Sequence, residues 1–300
     1  MTRHTGRPFK VESVTPIAGG SPWRALSIDN TRTGTPKRIF AKVGSETHLR
    51  IFAAEADGLT RLRAATATLR VPTVIACDTL DAADGEGDEG AETLQAVLLL
   101  EWIDLAPLSP PAAALLGHSL ADLHSTRGER FGLDRDNFIG ATPQRNTQDD
   151  DWVRFWQHHR LQPQLALCAK HRYPSRMIDR GERLLADCGA FFRDYRPVPS
   201  LLHGDLWAGN VAQDELGLPV IYDPAVYHGD READIAMTEL FGRFPTDFYA
   251  AYHNAWPLDV GYGVRKHFYN LYHVLNHANL FAGDYVRRGE TMIESLLAEL

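Results

Sequence analysis

LLHGDLWAGN, residues 201 to 210, is followed at 220 to 225 by VIYDPA. Asp205 stands five positions before Asn210, and Asp223 thirteen positions after it, each beside an apolar β-like run. Most aspartates are solvated surface groups or helix caps. Three oxygen-bearing side chains in this order, set among strand-forming segments, ask for a chemical reason. Phosphoryl transfer from ATP to a hydroxyl supplies one. It needs a carboxylate to accept the hydroxyl proton, and an amide and a second carboxylate to hold Mg²⁺ on the phosphates. On this reading Asp205 is the proton acceptor, and Asn210 and Asp223 are the metal ligands.

The rest of such a site belongs upstream. The chain has only five lysines, Lys10, Lys37, Lys42, Lys170 and Lys266. Lys42 lies in RIFAKV between Ile39, Phe40 and Val43, and a strand lysine among apolar neighbours does not enter a dry core unpaired. It is either a cation for the α- and β-phosphates, held by Glu55 in the helical segment EADGL, or an exposed strand residue. The Asp205 motif favours the first. Gly19, Gly20 and Ser21 in the turn IAGGSPW (17–23) can let backbone approach a triphosphate, although a Gly-Gly pair is also an ordinary hairpin turn. No G-x-x-x-x-G-K-[ST] loop is present. In LLLEWID (98–104), the backbone of Glu101, Trp102 and Ile103 can serve as a hinge against an adenine edge or simply link two lobes. The D-x-x-x-x-N spacing matches kinase catalytic loops. Asp223 is followed by Pro-Ala, which suggests a rigid loop.

Around these motifs, residues 9 to 43 read as three strands and 46 to 69 as a helix with Leu49, Phe52, Ala56, Leu59 and Leu62 on one side. VPTVIACDTL (71–80) and TLQAVLLLEWI (93–103) read as further strands, with the acidic tract DAADGEGDEGAE (81–92) as a solvated loop between them. From Pro110 the pattern turns helical, with helices expected over 110–125, 148–170, 174–193 and most of 232–300. Short strands frame the opening motif. The expected fold is α+β and two-lobed, kinase-like, with a small β-rich lobe over residues 1–103 and a larger, mostly helical lobe over 104–300.

The formal net charge of −8 argues against a nucleic-acid binder or a basic membrane-surface protein. Cys77, Cys168 and Cys188 form no C-x-x-C pair, which argues against a disulfide scaffold or zinc knuckle. No apolar run approaches membrane-spanning length and the N-terminus lacks a secretory core, so a soluble cytoplasmic protein is expected. His273 and His277, four apart on one helix, could be a zinc pair but read better as structural or pocket histidines.

The chain resembles the fructosamine kinases, also called ketosamine 3-kinases. The resemblance runs along nearly the whole length, through FAAEADGLTRL (52–62), FGLDRDNFIGATPQ (131–144), DWVRFWQHHRLQPQL (151–165), LLHGDLWAGN, VIYDPAVYHGDREADIAMTELFG (220–242) and LYHVLNHANLFAGDY (271–285). Aminoglycoside and choline phosphotransferases share the HGD-x-x-x-x-N logic without the strings around Asp136 and Asp230. The resemblance implies ATP-dependent, Mg²⁺-supported phosphorylation of the O3 hydroxyl of a glycated amine, peptide or protein, leading to deglycation. It assigns Asp205 as proton acceptor, Asn210 and Asp223 as metal ligands, Lys42 as phosphate cation, and Glu101, Trp102 and Ile103 at the adenine. Some relatives carry a cysteine in the glycine-rich turn and are redox-switched; IAGGSPW has none.

On the acceptor side, Trp207 is a candidate wall for the sugar or its amine carrier. Asp134, Asp136 and Asn137 either shape the same site or form an Asx-rich turn held by its own hydrogen bonds. Asp230, Arg231 and Asp234 read as braces for the metal loop through an ion-pair network rather than as substrate contacts. Two other functions fit the motif set: another small-molecule kinase, acting on an aminoglycoside, choline or a sugar, and an ATP-binding scaffold without activity. No feature of the sequence assigns an oligomeric state.

Overall fold

The computed structural model describes residues 10–18, 22–31, 37–80 and 95–300. Gly19, Gly20 and Ser21 lie outside the described residues, as does the acidic tract at 81–92. In the N-terminal lobe five strands, β1 (Val11–Ile17), β2 (Arg24–Asn30), β3 (Arg38–Ser45), β4 (Val74–Leu80) and β5 (Gln95–Glu101), form an antiparallel sheet in the order β1-β2-β3-β5-β4. Strand period two sorts β3 onto two faces. Ile39 and Ala41 join Val97, Leu99 and Ala76 in a small core on one face. Phe40 and Lys42 take the other, opposite Leu98 and Leu100 of β5.

Helix α1 (Leu49–Ala65) covers that second face. Phe52, Glu55, Leu59 and Leu62 are its buried stripe. Expected from 46 to 69, the helix is shorter at both ends. Residues Glu46–His48 form a 3₁₀ turn, and Thr66 is extended, its hydroxyl accepting the N–H groups of Thr68 and Leu69.

The C-terminal lobe is mostly helical. Helix α2 (Pro110–His124) begins with Pro at its first positions and Ser109 as cap. A hairpin of β6 (Asn137–Ile139) and β7 (Thr142–Gln144) follows. Then comes one continuous helical run: α3 (Trp152–Trp156), a π-helical turn at Gln157–Leu161, and α4 (Gln162–Lys170). It starts four residues later than 148 because the Asp151 side chain accepts from Arg154 N and caps it there. Helix α5 (Ser175–Asp187) ends in a 3₁₀ turn at Cys188–Phe192.

Four three-residue strands then hold the opening motif: β8 (Ser200–Leu202), β9 (Val211–Gln213), β10 (Pro219–Ile221) and β11 (Tyr227–Gly229). β8 pairs with β11, and β9 with β10. The loop carrying Asp205 therefore spans β8 to β9, the loop carrying Asp223 spans β10 to β11, and the two ladders set them side by side. Helices α6 (Glu232–Thr238), α7 (Thr246–Ala255), α8 (Tyr262–Phe281) and α9 (Asp284–Leu297) complete the chain. One apolar core runs from Phe52 and Leu98 through Leu116 and Trp156 to Leu275, so the lobes share a core around the site. Among the described residues no helix is long and apolar enough to cross a membrane.

Candidate active site

Lys42 and Glu55 face each other across the join between β3 and α1, both nearly fully buried. Lys42 Nζ donates to Glu55 Oε1 and Oε2 at 2.7 Å each and to Asp223 Oδ1 at 2.8 Å. One ammonium thus ties the N-terminal lobe to the Asp223 loop of the C-terminal lobe. Burial opposes the charge on Lys42, but two carboxylates outweigh it and lift its pKa. Burial pushes Glu55 upward against the pull of Lys42. A buried charge survives only when paired in this way.

Asn210 joins the other two motif residues. Its Nδ2 donates to Asp205 O at 2.9 Å, to Asp205 Oδ2 at 3.1 Å and to Asp223 O at 3.4 Å. Among the described residues its Oδ1 accepts no hydrogen bond. That oxygen and the Asp223 carboxylate are hard donors of the kind Mg²⁺ takes. Asp223 sits at φ 56°, a left-handed backbone that a non-glycine residue holds only when its surroundings impose it. Pro224 follows, and Ala225 N donates to His203 O at 2.8 Å.

The two loops touch closely. Gly204 has φ +83°, and a Cβ there would lie 2.1 Å from Ala225 O, so the position admits glycine alone. His203 Nε2 donates to Tyr222 O at 3.0 Å and its Nδ1 accepts from Asp205 N at 3.3 Å. Burial holds the ring neutral by lowering its pKa. His203 is a loop fastener, and its ring nitrogens are committed to the protein.

Asp234, on α6, braces the same turn. Its carboxylate accepts from His203 N at 2.7 Å, from Gly204 N at 2.9 Å and from His124 Nε2 at 3.2 Å, while His124 Nδ1 accepts from Tyr252 OH at 2.8 Å. Asp230 accepts from the hydroxyls of Tyr195 and Tyr269, and Arg231 donates to Trp256 O and Pro257 O. The expected bracing by these three is therefore mainly hydrogen bonding to backbone and hydroxyl groups. Asp234 braces the loop of Asp205, where the metal loop was expected.

Burial, reinforced by the negative charge of Asp223, pushes Asp205 up to about 7, with the Asn210 amide opposing. A carboxylate tuned towards neutrality suits a proton acceptor.

The hinge residues are half-buried between the lobes. Glu101 N is occupied by Thr73 O at 2.9 Å, and its side chain pairs with Arg70 and accepts from Thr73 Oγ1 at 2.7 Å. The Glu101 N–H is thus engaged within the N-terminal lobe. Arg38 stacks 5.0 Å over the Trp102 ring.

Trp207 lies exposed beside Asp205, its ring 6.3 Å edge-on to Phe241. The Phe241 ring in turn lies 4.5 Å from that of His277, tilted by 41°. His277 Nδ1 donates to His273 O within its own helix.

The residues of the 134–137 loop are each bonded within the protein. Asn137 is 4% exposed. Its amide donates to Val226 O at 2.7 Å and accepts from Gln144 and Asn146. Asp136 accepts from Asn146 N at 2.7 Å, and Asp134 pairs with Arg61 of α1. Asp136 and Asn137 thus bond to the β7 region and to the chain after Asp223, and not to the backbone of their own turn. Sequence reasoning missed Gln144, Asn146 and Arg61 in these contacts. Polar residues in the otherwise ordinary run IGATPQRN were the only available signal.

A small antiparallel sheet over a helical lobe, with a lysine–glutamate pair and an Asp/Asn/Asp loop set at their junction, defines an ATP-dependent kinase of the two-lobed class. A family model described as fructosamine kinase matches residues 1–299, and the chain belongs to that family. A Synechocystis protein assigned as a ketoamine kinase is 38% identical over 302 residues, covering 99% of this chain and 94% of its own. A chloroplastic protein-ribulosamine 3-kinase of Oryza sativa subsp. indica is 33% identical over 297 residues, covering 98% of this chain and 82% of its own. A crystal structure described as a fructosamine-3-kinase from Haemophilus somnus matches with a TM-score of 0.83 at 28% identity, covering 99% of this chain and 95% of that one.

Proposed function

We propose that this kinase phosphorylates the 3-hydroxyl of ketosamines, the sugar adducts of amines, and so initiates their deglycation. The observation that carries the chemistry is the hydrogen-bonded set in which Asn210 ties Asp205 to the Asp223 loop. The substrate class rests on family membership along the chain and on the ribulosamine kinase relative.

Asp205 orients the acceptor hydroxyl and takes its proton as the oxygen bonds to the γ-phosphorus. The bond from that phosphorus to the β–γ bridging oxygen breaks, and ADP leaves with the electron pair. Lys42, fixed by Glu55, offsets negative charge on the phosphates. Asn210 Oδ1 and the Asp223 carboxylate are the groups that would hold Mg²⁺, which when bound draws charge from the phosphates and orients them. Positioning and fixed charge supply most of the rate gain in this chemistry. In the product, enolisation between C1 and C2 expels phosphate from C3, and hydrolysis then frees the amine.

Asp205→Asn should leave ATP binding intact and lower turnover by about 10³-fold or more. Near-normal turnover in that variant would remove Asp205 from the mechanism. ATP consumption against ribulose-, erythrulose- and fructose-linked lysines, with aminoglycosides and choline alongside, tests the substrate. Activity confined to the last two would overturn the ketosamine assignment.

A further inference from the structure

Two residues beyond Glu55 on α1 lies Asp57, and one turn further lies Arg61. Arg61 Nε donates to Asp57 at 2.7 Å. Its Nη2 crosses to the C-terminal lobe and donates to both oxygens of Asp134, at 2.8 and 3.0 Å. Arg135 Nη1 lies 3.6 Å from Asp57 Oδ1. Charges of alternating sign thus close a four-membered network between α1 and residues 134–135.

The loop that carries Asp134 is itself fastened to the chain just after Asp223. Gly132 and His228 exchange two backbone hydrogen bonds of 2.8 Å. Asn137 holds Val226 O, and Gln144 Nε2 holds Ala225 O at 3.1 Å. Beneath the network, Gly58 of α1 packs directly on Pro224 and Val226. One end of this loop therefore follows the metal loop, and the other end grips the helix that holds Glu55.

We propose that Asp134 and Arg135 of the C-terminal lobe, with Arg61 and Asp57 of α1, form a clamp that sets the distance between Glu55 and Asp223 and so positions Lys42 for the nucleotide. The residues are positioning residues. The proposal rests on Lys42 being the phosphate cation, and not on the identity of the acceptor.

Exposed ion pairs act modestly one at a time, through factors of about 1.4 to 5. A bidentate contact within a network should reach about three- to tenfold. The test measures nucleotide dissociation constants for Asp134→Ala, Arg61→Ala and the double variant, without any acceptor, together with KM for both substrates. The expected result is weaker nucleotide binding by that factor in each single variant and no further loss in the double. The acceptor KM should stay unchanged, and Asp134→Glu should restore most of the affinity. Unchanged nucleotide affinity with an altered acceptor KM would overturn the clamp and place Asp134 at the acceptor. Additive losses, or a fall in thermal midpoint with nucleotide affinity intact, would reduce the network to fold stability and also overturn it. Because binding is read without acceptor, failure of the ketosamine assignment leaves this test valid. Lys42→Met serves as the separate control: normal nucleotide affinity there would fail the phosphate-cation reading itself.

Discussion

Asp234 shows how one buried side chain can hold the turn that carries Asp205. It is fully buried, and its two oxygens take two successive backbone N–H groups and an imidazole N–H. Asp234→Asn keeps the shape but replaces an acceptor with a donor, so at least one N–H at 203 or 204 loses its partner. The expected cost is about 1–3 kcal/mol of stability, with a larger relative loss in kcat than in nucleotide affinity. Denaturant unfolding and steady-state kinetics check this; unchanged values in both would show that the turn holds itself. The pH dependence has a definite sign. Burial alone would raise Asp234, yet the His124 contact, with the other groups around it, takes its pKa below the ordinary 3.8. The carboxylate is therefore favoured in the folded state. Its contribution is complete above about pH 4 and is lost as pH falls through the lower folded value. The urea midpoint of the wild type should drop on acidification in that window, and by less in Asp234→Asn.

At the scale of elements, helix packing depends on close approach. On α2, a Cβ at Gly117 would lie 2.4 Å from Phe248 O and 2.9 Å from Tyr252 N of α7. Gly117→Ala must part the two helices, and overpacking of this kind costs about 1–3 kcal/mol. Since Tyr252 also donates to His124, the displacement reaches the support of Asp234, and activity should fall with stability. A denaturation midpoint equal to wild type would contradict the packing.

The long periodic elements were readable because their apolar spacing is a direct record of burial: α1 from Phe52, Leu59 and Leu62, and β3 and β5 from their runs. The three-residue strands were harder. Those around 201, 211 and 219 were approachable through the apolar flanks of the motif, but Tyr227–Gly229 and the Asn137–Gln144 hairpin are too short to show a period. The π-turn at Gln157–Leu161 left no mark at all. It seats Arg160, fully buried and stacked 4.0 Å over Tyr227, in a run that reads as uninterrupted helix. Within the site, Asp205, Asn210, Asp223, Lys42 and Glu55 could be singled out because each is a polar residue at an apolar address. Asp134 could not be placed, because its partner lies 73 positions away.

Across the whole molecule, the proposed nucleotide site draws on both lobes, with Lys42 bonded to Glu55 on one side and Asp223 on the other. Binding that engages both should stabilise the chain as a unit. At a hundredfold excess over its dissociation constant a nucleotide adds about 2.7 kcal/mol. A non-hydrolysable ATP analogue with Mg²⁺ should accordingly raise the thermal midpoint in a single transition, and EDTA should remove most of the shift. An undiminished shift in EDTA would count against Asn210 and Asp223 as metal ligands.

The locked Asp223–Pro224 turn bears on inhibition. A compound that opens a channel behind Asp223 must first swing that aspartate outward. Here that aspartate is bonded to Lys42, the next residue is a proline packed under α1, and the one after is bonded to His203. No channel opens without breaking all three contacts. Compounds that need such a channel are expected to bind this chain poorly.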